Sequence, residues 1–490
     1  MHREFNAQPG EFPYELGIYP SMYSNRPWKI MQYSGFGTVQ QTNRIFHKIL
    51  EDGASGISIA FDLPSQMGIS RYSELGRFEF GKVGVSVETL DDMRKLLHGI
   101  NLSEVNISMT INSTAALMLL MLEIIAEEQG VNKLNIRATI QNDMLKEYIS
   151  RNTYIFEPRK AMRISVDIFE YCQKELPKVN PISVSGYHLE EAGATSAQEI
   201  GFAIANGIEY LRFAQKRNMD LEKLAEQFTF FFSSKMNFVE EICKFRAARV
   251  LWADLLVEKF SFTNQKALKM RIHSQTAGSQ LTAEQPENNF ARVTIQALAA
   301  VLGGVQSLHT NSFNEAYSLP TQTSSSIAIN TQKIIWHETD ISEYPSLLKG
   351  AIEFERKTDL IVSEAREIFN EIESRGGALK AVESNYQKEE IEQISYLKQM
   401  KLEKGLDVVI GVNEGKTSTS SIDESDLYSD INVDKVVEVI NRPLQREIDI
   451  PLESDLLQAW AGDLNLLYPI KKLLIRGYSI PDICELLKTN

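Results

Sequence analysis

The side chains best suited to chemistry lie in one segment, TIQNDMLKEYISRNTY, residues 139–154. A short strand-like run, residues 136–141, ends at the amide of Gln141, and a helical turn then brings Arg151 ten residues further along. Arginine can hold a carboxylate through two parallel hydrogen bonds. The pair therefore predicts a site for a small carboxylated ligand, although the same segment is also compatible with the ordinary chemistry of a loop between a strand and a helix.

Further candidates for acid or base chemistry are a tyrosine, a histidine and three glutamates. His188 ends the run ISVSGYH, and Glu190 and Glu191 follow it directly. A strand-end histidine together with a tyrosine such as Tyr33, in RPWKIMQYSGFGT, could polarise a carbonyl group. Glu315, in HTNSFNEA, could accept hydrogen bonds from a ribose. Each residue is equally typical of a structural role, and no activated nucleophile stands out that would complete a hydrolase.

These residues need strands and helices that hold them in place. Short β-branched runs end in polar or glycine residues, and a stretch with helical period follows each one. The predicted strands are residues 56–63, 105–112, 136–141, 182–188, 228–233, 270–275 and 305–311, and a weaker eighth at 333–337. Seven or eight such units over about 310 residues predict an α/β fold, a (β/α)8 TIM barrel with its site at the carboxyl ends of the strands. An open, doubly wound sheet has the same periodicity and stays an alternative.

Several of the predicted strands alternate apolar with polar residues, whereas the interior of an ordinary barrel is filled by Val, Ile and Leu. The polar positions are Ser108, Thr110, Asn112, Ser183, Ser185, Arg271, His273, Gln275, Ser307, His309 and Asn311. If they point inward, the barrel axis is polar and can hold a ligand. The alternative is that they face loops or satisfy one another.

Five regions are predicted along the chain. Residues 1–45 form an extended N-terminal arm with a short helix, and residues 46–360 form the barrel. Residues 361–412 are a charged helical extension, residues 413–432 have the composition of a linker, and residues 433–490 show the pattern of short helices.

Composition excludes several classes of function. A net charge of −14 argues against non-specific binding to nucleic acid, which depends on Lys and Arg. The sequence has no apolar run long enough to cross a membrane and no apolar signal core, so a cytoplasmic location is expected. The three cysteines are widely separated, which predicts neither a disulfide framework nor a zinc site. No nucleotide-binding GxxxxGK[ST] or GxGxxG, and no HExxH or GxSxG, is present at a suitable place.

A set of long motifs resembles one known family. The runs YPSMYSNRPWKIMQYSGFGT, SGISIAFDLP, SMTIN, TIQNDMLKEYISRNTYIF, ISVSGYHLEEAGA, HSQTAG, GGVQSLHTNSFNEA and VVIGVN occur in this order between about residues 15 and 412. Together they are similar to the adenosylcobalamin-dependent acyl-CoA mutases, and most similar to the methylmalonyl-CoA mutase family. The resemblance implies a (β/α)8 barrel with coenzyme A along a hydrophilic axis. It also implies an isomerase that rearranges a carbon skeleton by a radical mechanism.

The resemblance also implies roles for individual residues. Tyr33 and Arg151 would contact the substrate carboxylate, Gln141 the acyl-thioester region, and His188 the thioester carbonyl that migrates. The coenzyme A tail would be bound by Tyr19, Ser21, Met22, Arg26 and Lys178. The face towards adenosylcobalamin would be lined by Phe61, Glu191, Gly278, Glu315 and Ala316.

Some features depart from the family pattern. Met31 stands where the family usually has Arg, and Gln227 and Thr229 replace an Arg and a Ser that contact coenzyme A. A DPxGGSY stretch is missing after His337, and the stretch that replaces it looks more like ethylmalonyl-CoA mutase. None of the seven histidines lies in the DxHxxG motif that supplies the cobalt ligand.

Because the DxHxxG motif is missing, we expect a partner chain to supply the cobalt ligand. A separate cobalamin-binding subunit would carry that motif and form a hetero-oligomer with this chain, and the cobalamin-binding domain is expected to be absent here. The alternatives are an enzyme for ethylmalonyl-CoA or a related acyl-CoA, and a non-catalytic structural partner in a heterodimeric mutase. The retained Tyr33, Arg151 and His188 favour a catalytic chain.

Overall fold

A computed structural model describes residues 8–416 and 448–489. The fold is mixed α/β. The strands are β1 Lys29–Ser34, β2 Phe36–Gly37, β3 Gly56–Ile59, β4 Gly84–Val85, β5 Asn106–Met109, β6 Ala138–Ile140, β7 Ile182–Ser185, β8 Phe228–Ser234, β9 Arg271–Thr276 and β10 Ser307–His309.

Helices separate the successive strands. In the first part of the chain they are α1 Val39–Glu51, α2 Leu63–Met67, α3 Glu74–Glu79, α4 Leu90–Leu96, α5 Ala115–Glu128, α6 Met144–Lys146, α7 Pro158–Glu175, α8 Tyr187–Glu191, α9 Ser196–Lys216 and α10 Leu221–Gln227. The later helices are α11 Phe238–Phe260, α12 Asn288–Leu302, α13 Gln322–His337, α14 Ile352–Ser374, α15 Ala378–Glu383, α16 Tyr386–Glu403, α17 Ile450–Ala461, α18 Leu467–Ile475 and α19 Ile480–Lys488. Short 3-10 helices cover Lys133–Asn135, Gly278–Gln280 and Ile341–Glu343, and a π-helix covers Glu147–Arg151.

Eight strands form one parallel sheet in the order β6-β5-β3-β1-β10-β9-β8-β7, and β2 pairs with β4 in a small second sheet. The two strands at the ends of this order are themselves connected. Asn180 N donates to Ala138 O at 2.8 Å, and Ser183 N donates to Gln141 O at 2.9 Å. An open doubly wound sheet would leave its outer strands apart, so the predicted (β/α)8 TIM barrel is confirmed and the alternative is excluded.

One predicted strand is wrong. Residues 333–337 lie at the end of the helix α13, whose N-terminus is fixed by a capping box between Thr321 and Ser324. The remaining strand of the barrel is β1, KIMQYS, inside the region predicted to be an extended arm. A short apolar run such as KIIWH has no periodicity of its own, and its type is decided by the helical pattern that precedes it.

The described residues divide into two compact units, each built from separate stretches of chain. The first unit contains residues 8–31, 184–211 and 228–416, and the second contains residues 32–183, 212–227 and 448–489. The domain boundaries expected from the sequence stay predictions. Most of the predicted linker, residues 417–432, and the start of the C-terminal region, residues 433–447, lie outside the described residues.

The core of the second unit joins distant parts of the sequence. The strands β3, β5 and β6 place Ile57, Ile107 and Ile140 in one hydrophobic cluster with α5, which is buried along nearly its whole length. The helices α17 to α19 contribute Trp460 and Leu473 to the same cluster. The C-terminal helices are therefore part of this core.

The opposite face of the same strands is polar. Ser108 is in register with Ser58 of β3 and with Thr139 of β6, so the three hydroxyls form a row. In the first unit, β9 and β10 pair His273 with Ser307. Side chains alternate across a strand, so Ser58, Ser108 and Thr139 point away from the apolar cluster of their own unit. Each unit therefore carries the polar strand face that the sequence predicted.

Among the described residues, α5 and the other helices all fall short of what a membrane span requires in length and apolar character.

Candidate active site

The loop after β6 is shaped by backbone conformations that few residues adopt. Asn142 directly follows Gln141 with a φ of 46°, in the left-handed region that Asn tolerates better than most residues. The π-helix Glu147–Arg151 comes next, and Asn152, with a φ of 58°, ends it. Single π-helical turns occur often at functional sites. The local sequence NDMLKEYISRN thus gives a compact polar turn.

Gln141 and Arg151 belong to one hydrogen-bonded cluster. Asn112 Nδ2 donates to Gln141 Oε1 at 3.0 Å and to Glu147 Oε1 at 2.6 Å. Arg151 Nη1 lies 4.0 Å from Glu147 Oε1. Lys146 Nζ also donates to Glu147 Oε1. We call these five residues the Arg151 cluster, and it unites the two side chains that the sequence singled out for a carboxylated ligand.

Lys146 is the second cation of the cluster. It is fully buried, and burial lowers the pKa of its ammonium group to about 8, with Arg151 acting in the same direction and Glu147 against it. Sequence reasoning missed Lys146 and Glu147 as site residues. Charged residues next to a helical turn usually face solvent, and only the buried apolar neighbours Met144 and Leu145 hinted otherwise.

In the first unit, His188 is held at the end of β7. Its Nδ1 lies 2.7 Å from Ser185 Oγ, three residues earlier. The ring of Tyr187 stacks on Phe231 at 4.7 Å between centroids, and the imidazole stands edge-on to the same ring. The hydroxyl and the aromatic wall together fix the orientation of the imidazole. Ser185, Tyr187, His188 and Glu191 are called the His188 turn below.

Glu191 closes this turn and meets the loop after β9. Ser279 donates to it through its backbone N at 3.0 Å and its Oγ at 3.1 Å. Burial raises the pKa of Glu191 to about 8, and the neighbouring Glu190 adds to the rise. A Cβ at Gly278 would lie 3.4 Å from Glu191 Oε2 and 3.3 Å from Asn311 Nδ2. Gly278 therefore keeps the wall beside Glu191 open, and these two candidates are brought together.

Glu315 and Ala316 follow β10 and are exposed to solvent. Although the Glu315 carboxyl reaches solvent, the surrounding protein raises its pKa to about 7. This combination is expected for the wall of a recess, where water has access but the carboxylate is poorly solvated. The electrostatic interaction of Glu315 with Glu191 and Tyr187 shows that it belongs near the His188 turn.

Under the His188 turn lies a network of buried charges that sequence reasoning also missed. Lys235 Nζ lies 3.7 Å from Glu190 Oε1 and 3.6 Å from Glu241 Oε1. Lys244 Nζ lies 2.7 Å from Glu199 Oε2 and also contacts Glu241. Buried charges are tolerated when they are paired in this way, and the pairing ties β8 and α11 to the turn.

The histidines of the polar strands are neutral. Burial lowers the pKa of His273 to about 4 and the pKa of His309 to about 3. His273 Nδ1 lies 2.8 Å from Ser307 Oγ, so the imidazole is also hydrogen-bonded. The imidazoles at positions 273 and 309 are therefore uncharged hydrogen-bonding groups.

The candidates for the coenzyme A tail lie in different settings. Tyr19 and Arg26 are exposed in the first unit, Ser21 is half-buried, and Met22 is buried with its Cε near Gly304. Lys178 is exposed in the second unit, where its Nζ donates to Asn135 Oδ1 at 2.5 Å. Their role in binding stays a prediction.

Two other predicted residues belong to the second unit. Tyr33 is half-buried on β1. Phe61 is 1% exposed and packs in the hydrophobic cluster with Ile59 and Val85, so its ring serves the core in this structure. Within residues 8–416 and 448–489, no group of three His, Cys, Asp or Glu side chains is arranged to hold a metal ion.

A family model described as methylmalonyl-CoA mutase matches residues 1–489. The chain belongs to the methylmalonyl-CoA mutase family. Curated relatives include the probable mitochondrial methylmalonyl-CoA mutase of Caenorhabditis elegans, 45% identical over 83% of this chain and 55% of the relative. The human mitochondrial enzyme is 43% identical over 83% of this chain and 54% of its own length.

A bacterial relative matches over a similar range. Methylmalonyl-CoA mutase of Escherichia coli K12 is 41% identical over 87% of this chain and 59% of its own length. The chain thus spans a little more than half the length of the curated relatives it matches. One departure from the methylmalonyl-CoA mutase pattern has a structural use here, because Gln227 Nε2 donates to the carbonyls of Pro177 and Val179.

Proposed function

We propose that this chain is the substrate-binding, catalytic part of an adenosylcobalamin-dependent mutase that interconverts methylmalonyl-CoA and succinyl-CoA. The observation that carries this proposal is the Arg151 cluster, which joins a guanidinium to the amide of Gln141. Both substrates contain a free carboxylate and a thioester, and this pair of donors suits them. Membership of the methylmalonyl-CoA mutase family supports the same assignment.

Each side chain has a defined task in this proposal. Arg151 pairs with the substrate carboxylate, with Tyr33 as a second contact, and Gln141 binds the acyl-thioester region. His188 donates a hydrogen bond from Nε2 to the thioester carbonyl, while Ser185 holds its Nδ1. The coenzyme A tail is bound by Tyr19, Ser21, Met22, Arg26 and Lys178.

The wall around Glu191 suits the hydroxyl-rich adenosyl part of adenosylcobalamin. With a pKa of about 8, Glu191 is largely protonated near neutral pH, and with a pKa of about 7, Glu315 is about half protonated. Both carboxyl groups can therefore donate hydrogen bonds to sugar hydroxyls and accept them. Gly278 leaves room for close approach. Ala316 and Phe61 are the further residues assigned to the face towards adenosylcobalamin. When bound, adenosylcobalamin supplies the radical that starts the rearrangement, and the protein orients and shields the reacting groups.

A separate cobalamin-binding subunit, carrying a DxHxxG motif, completes the enzyme as a hetero-oligomer. A cytoplasmic location stays a prediction, since relatives named as mitochondrial are among those matched.

Reconstitution tests the proposal. The chain alone should not isomerise methylmalonyl-CoA, and activity should follow when a DxHxxG-bearing subunit and adenosylcobalamin are added. Mass spectrometry of the natively purified complex should show the partner. Inactivity of every combination on both methylmalonyl-CoA and ethylmalonyl-CoA contradicts the proposal, whereas activity on ethylmalonyl-CoA alone selects the related enzyme. Calorimetry with succinyl-CoA tests a purely structural role, which predicts no binding in any combination.

A further inference from the structure

Glu147 is the only carboxylate in direct contact with both cations of the Arg151 cluster among the described residues. Its side chain is completely buried, and its Oε1 accepts from Lys146 and Asn112. Its Oε2 accepts from the Thr153 hydroxyl. Because a buried carboxylate with this many partners has little freedom, Glu147 is a fixed point for the groups around it.

The arginine beside it is held at one side only. Arg151 is 27% exposed, whereas Glu147 is 0% exposed, and their closest atoms are 4.0 Å apart. The π-helical turn brings the two side chains to the same face of the chain. The carboxylate thus attracts the guanidinium from the inside and leaves the remaining N–H groups for a ligand.

Asn112 extends this control to the amide of Gln141. The Oδ1 of Asn112 accepts from Asp143 N at 3.0 Å, which leaves its Nδ2 to donate to Glu147 and to Gln141. Gln141 Oε1 is therefore occupied as an acceptor. The Nε2 of Gln141 remains as the donor for a ligand, and this orientation follows from the hydrogen-bond network.

We propose that Glu147 is a positioning residue that aims Arg151 directly and Gln141 through Asn112, and so sets the preference for acyl-CoA substrates that carry a free carboxylate. The proposal rests on the proposed function and adds the residue that makes the site selective. Glu147 does not touch the substrate. Its effect should therefore depend on Arg151 and should be largest for ligands with a carboxylate.

Binding of two probes measures this preference. Calorimetry on the full-length protein, with its natively associated subunits, compares succinyl-CoA with butyryl-CoA, which lacks the terminal carboxylate. Glu147→Gln keeps the shape and removes the charge. We expect the affinity for succinyl-CoA to fall roughly ten- to a hundredfold, as for a lost charge-assisted hydrogen bond, while the affinity for butyryl-CoA changes less than about twofold.

A double-variant cycle separates positioning from a general structural effect. In a protein that already carries Arg151→Gln, adding Glu147→Gln should leave the ratio of the two affinities unchanged, because the group being aimed is gone. Asp91→Asn is a matched control. It removes a carboxylate that is paired with a cation four residues later, Lys95, on the exposed surface, and should not change the ratio.

A milder variant keeps the test decisive if Glu147→Gln fails to fold. Thr153→Val removes the hydroxyl that donates to Glu147 Oε2. Because Glu147 keeps its charge and its other partners, the preference for succinyl-CoA should fall only about two- to threefold. If the folded variants keep the wild-type ratio of the affinities for succinyl-CoA and butyryl-CoA, the positioning role of Glu147 is wrong, while the proposed function is unaffected. A wild-type protein that does not prefer succinyl-CoA overturns both this role and the proposed function.

Discussion

The Arg151 cluster and the His188 turn are both polar and partly buried, but their charged neighbours differ in sign. In the Arg151 cluster two cations share one internal carboxylate, and Arg151 still has part of its surface exposed. At the His188 turn the nearest ionisable neighbours of Glu191 are glutamates, and the pKa of Glu191 is raised to about 8. Burial is the main cause of the raised pKa of Glu191, and the neighbouring glutamates add to the rise. In the Arg151 cluster burial lowers the pKa of Lys146, and the carboxylate of Glu147 opposes that change.

This difference matches two kinds of recognition. A guanidinium that stays charged can read a carboxylate, since the attraction strengthens where water is scarce. Protonated carboxyl groups can exchange hydrogen bonds with carbonyls and hydroxyls without leaving an unpaired charge in the site. The first region therefore suits selection of the substrate, and the second suits its orientation.

The largest expected effect tests the second region. If His188 donates to the thioester carbonyl as proposed, His188→Ala should lower kcat about 10²- to 10³-fold, as for other donors to a reacting carbonyl oxygen. Steady-state assays of the reconstituted enzyme with methylmalonyl-CoA measure it. His98→Ala, at an exposed position, serves as the control. If the His188 variant has the kcat of the wild type, His188 does not bind the thioester carbonyl.

The next effect tests the first region. Arg151→Gln should lower kcat/KM for methylmalonyl-CoA roughly 30- to 1000-fold, which corresponds to about 2–4 kcal/mol of lost transition-state stabilisation. The reason is that the substrate carboxylate would be left without its charged partner. The same assay measures it. Arg94→Gln removes an arginine from an exposed pair with Glu128 and should leave kcat/KM unchanged. An Arg151 variant with normal kcat/KM would show that another group reads the carboxylate.

A smaller effect is expected one step away from the substrate. Ser185→Ala removes the hydroxyl beside His188 Nδ1, and kcat should fall roughly two- to tenfold, the range for one neutral hydrogen bond. Ser185→Thr keeps the hydroxyl and should restore most of the rate. If the alanine and threonine variants have equal rates, the hydroxyl does not position the imidazole.

The last prediction concerns stability and its dependence on pH instead of turnover. The pKa of Glu191 is about 8 in the folded protein against 4.5 for the ordinary carboxyl. Between these pH values the folded state binds one more proton than the unfolded state, so the contribution of Glu191 to stability is lost as the pH rises. Relative to wild type, Glu191→Gln should gain thermal stability as the pH is raised from about 5 to about 8.5.

Thermal unfolding of both proteins across that pH range measures the difference. Glu104→Gln, at an exposed glutamate, should show no such trend. A constant difference in melting temperature between the Glu191 variant and wild type would mean that Glu191 is ionised in the folded protein throughout.

The sequence predicted most of the barrel because its strands are bounded by clear turn residues and followed by helical periods. It failed where a short apolar run depended on its context, at residues 333–337 in α13 and at β1. Local propensity is weak for runs of this length.

For the site, the sequence singled out Gln141, Arg151 and His188 as the residues predicted to face a ligand. It did not identify Glu147 or Ser185 as their supports. Support depends on which buried groups meet in space, and the contact between Asn112 and Glu147 joins positions that no periodicity relates. A pattern can show which side chain could react, but the partners that set its direction come from packing.

Because the helices α17 to α19 are synthesised after the rest of the second unit, the core of that unit cannot be completed until they have been translated. Their apolar residues complete a cluster whose strands leave the ribosome roughly 350 residues earlier, or about 20–70 seconds at ordinary rates of translation. Until then, the apolar surface that Leu473 covers in the finished protein is open to other chains. A stop codon shortly before residue 448 would therefore yield an aggregation-prone chain with an incomplete core, and not a shorter working enzyme.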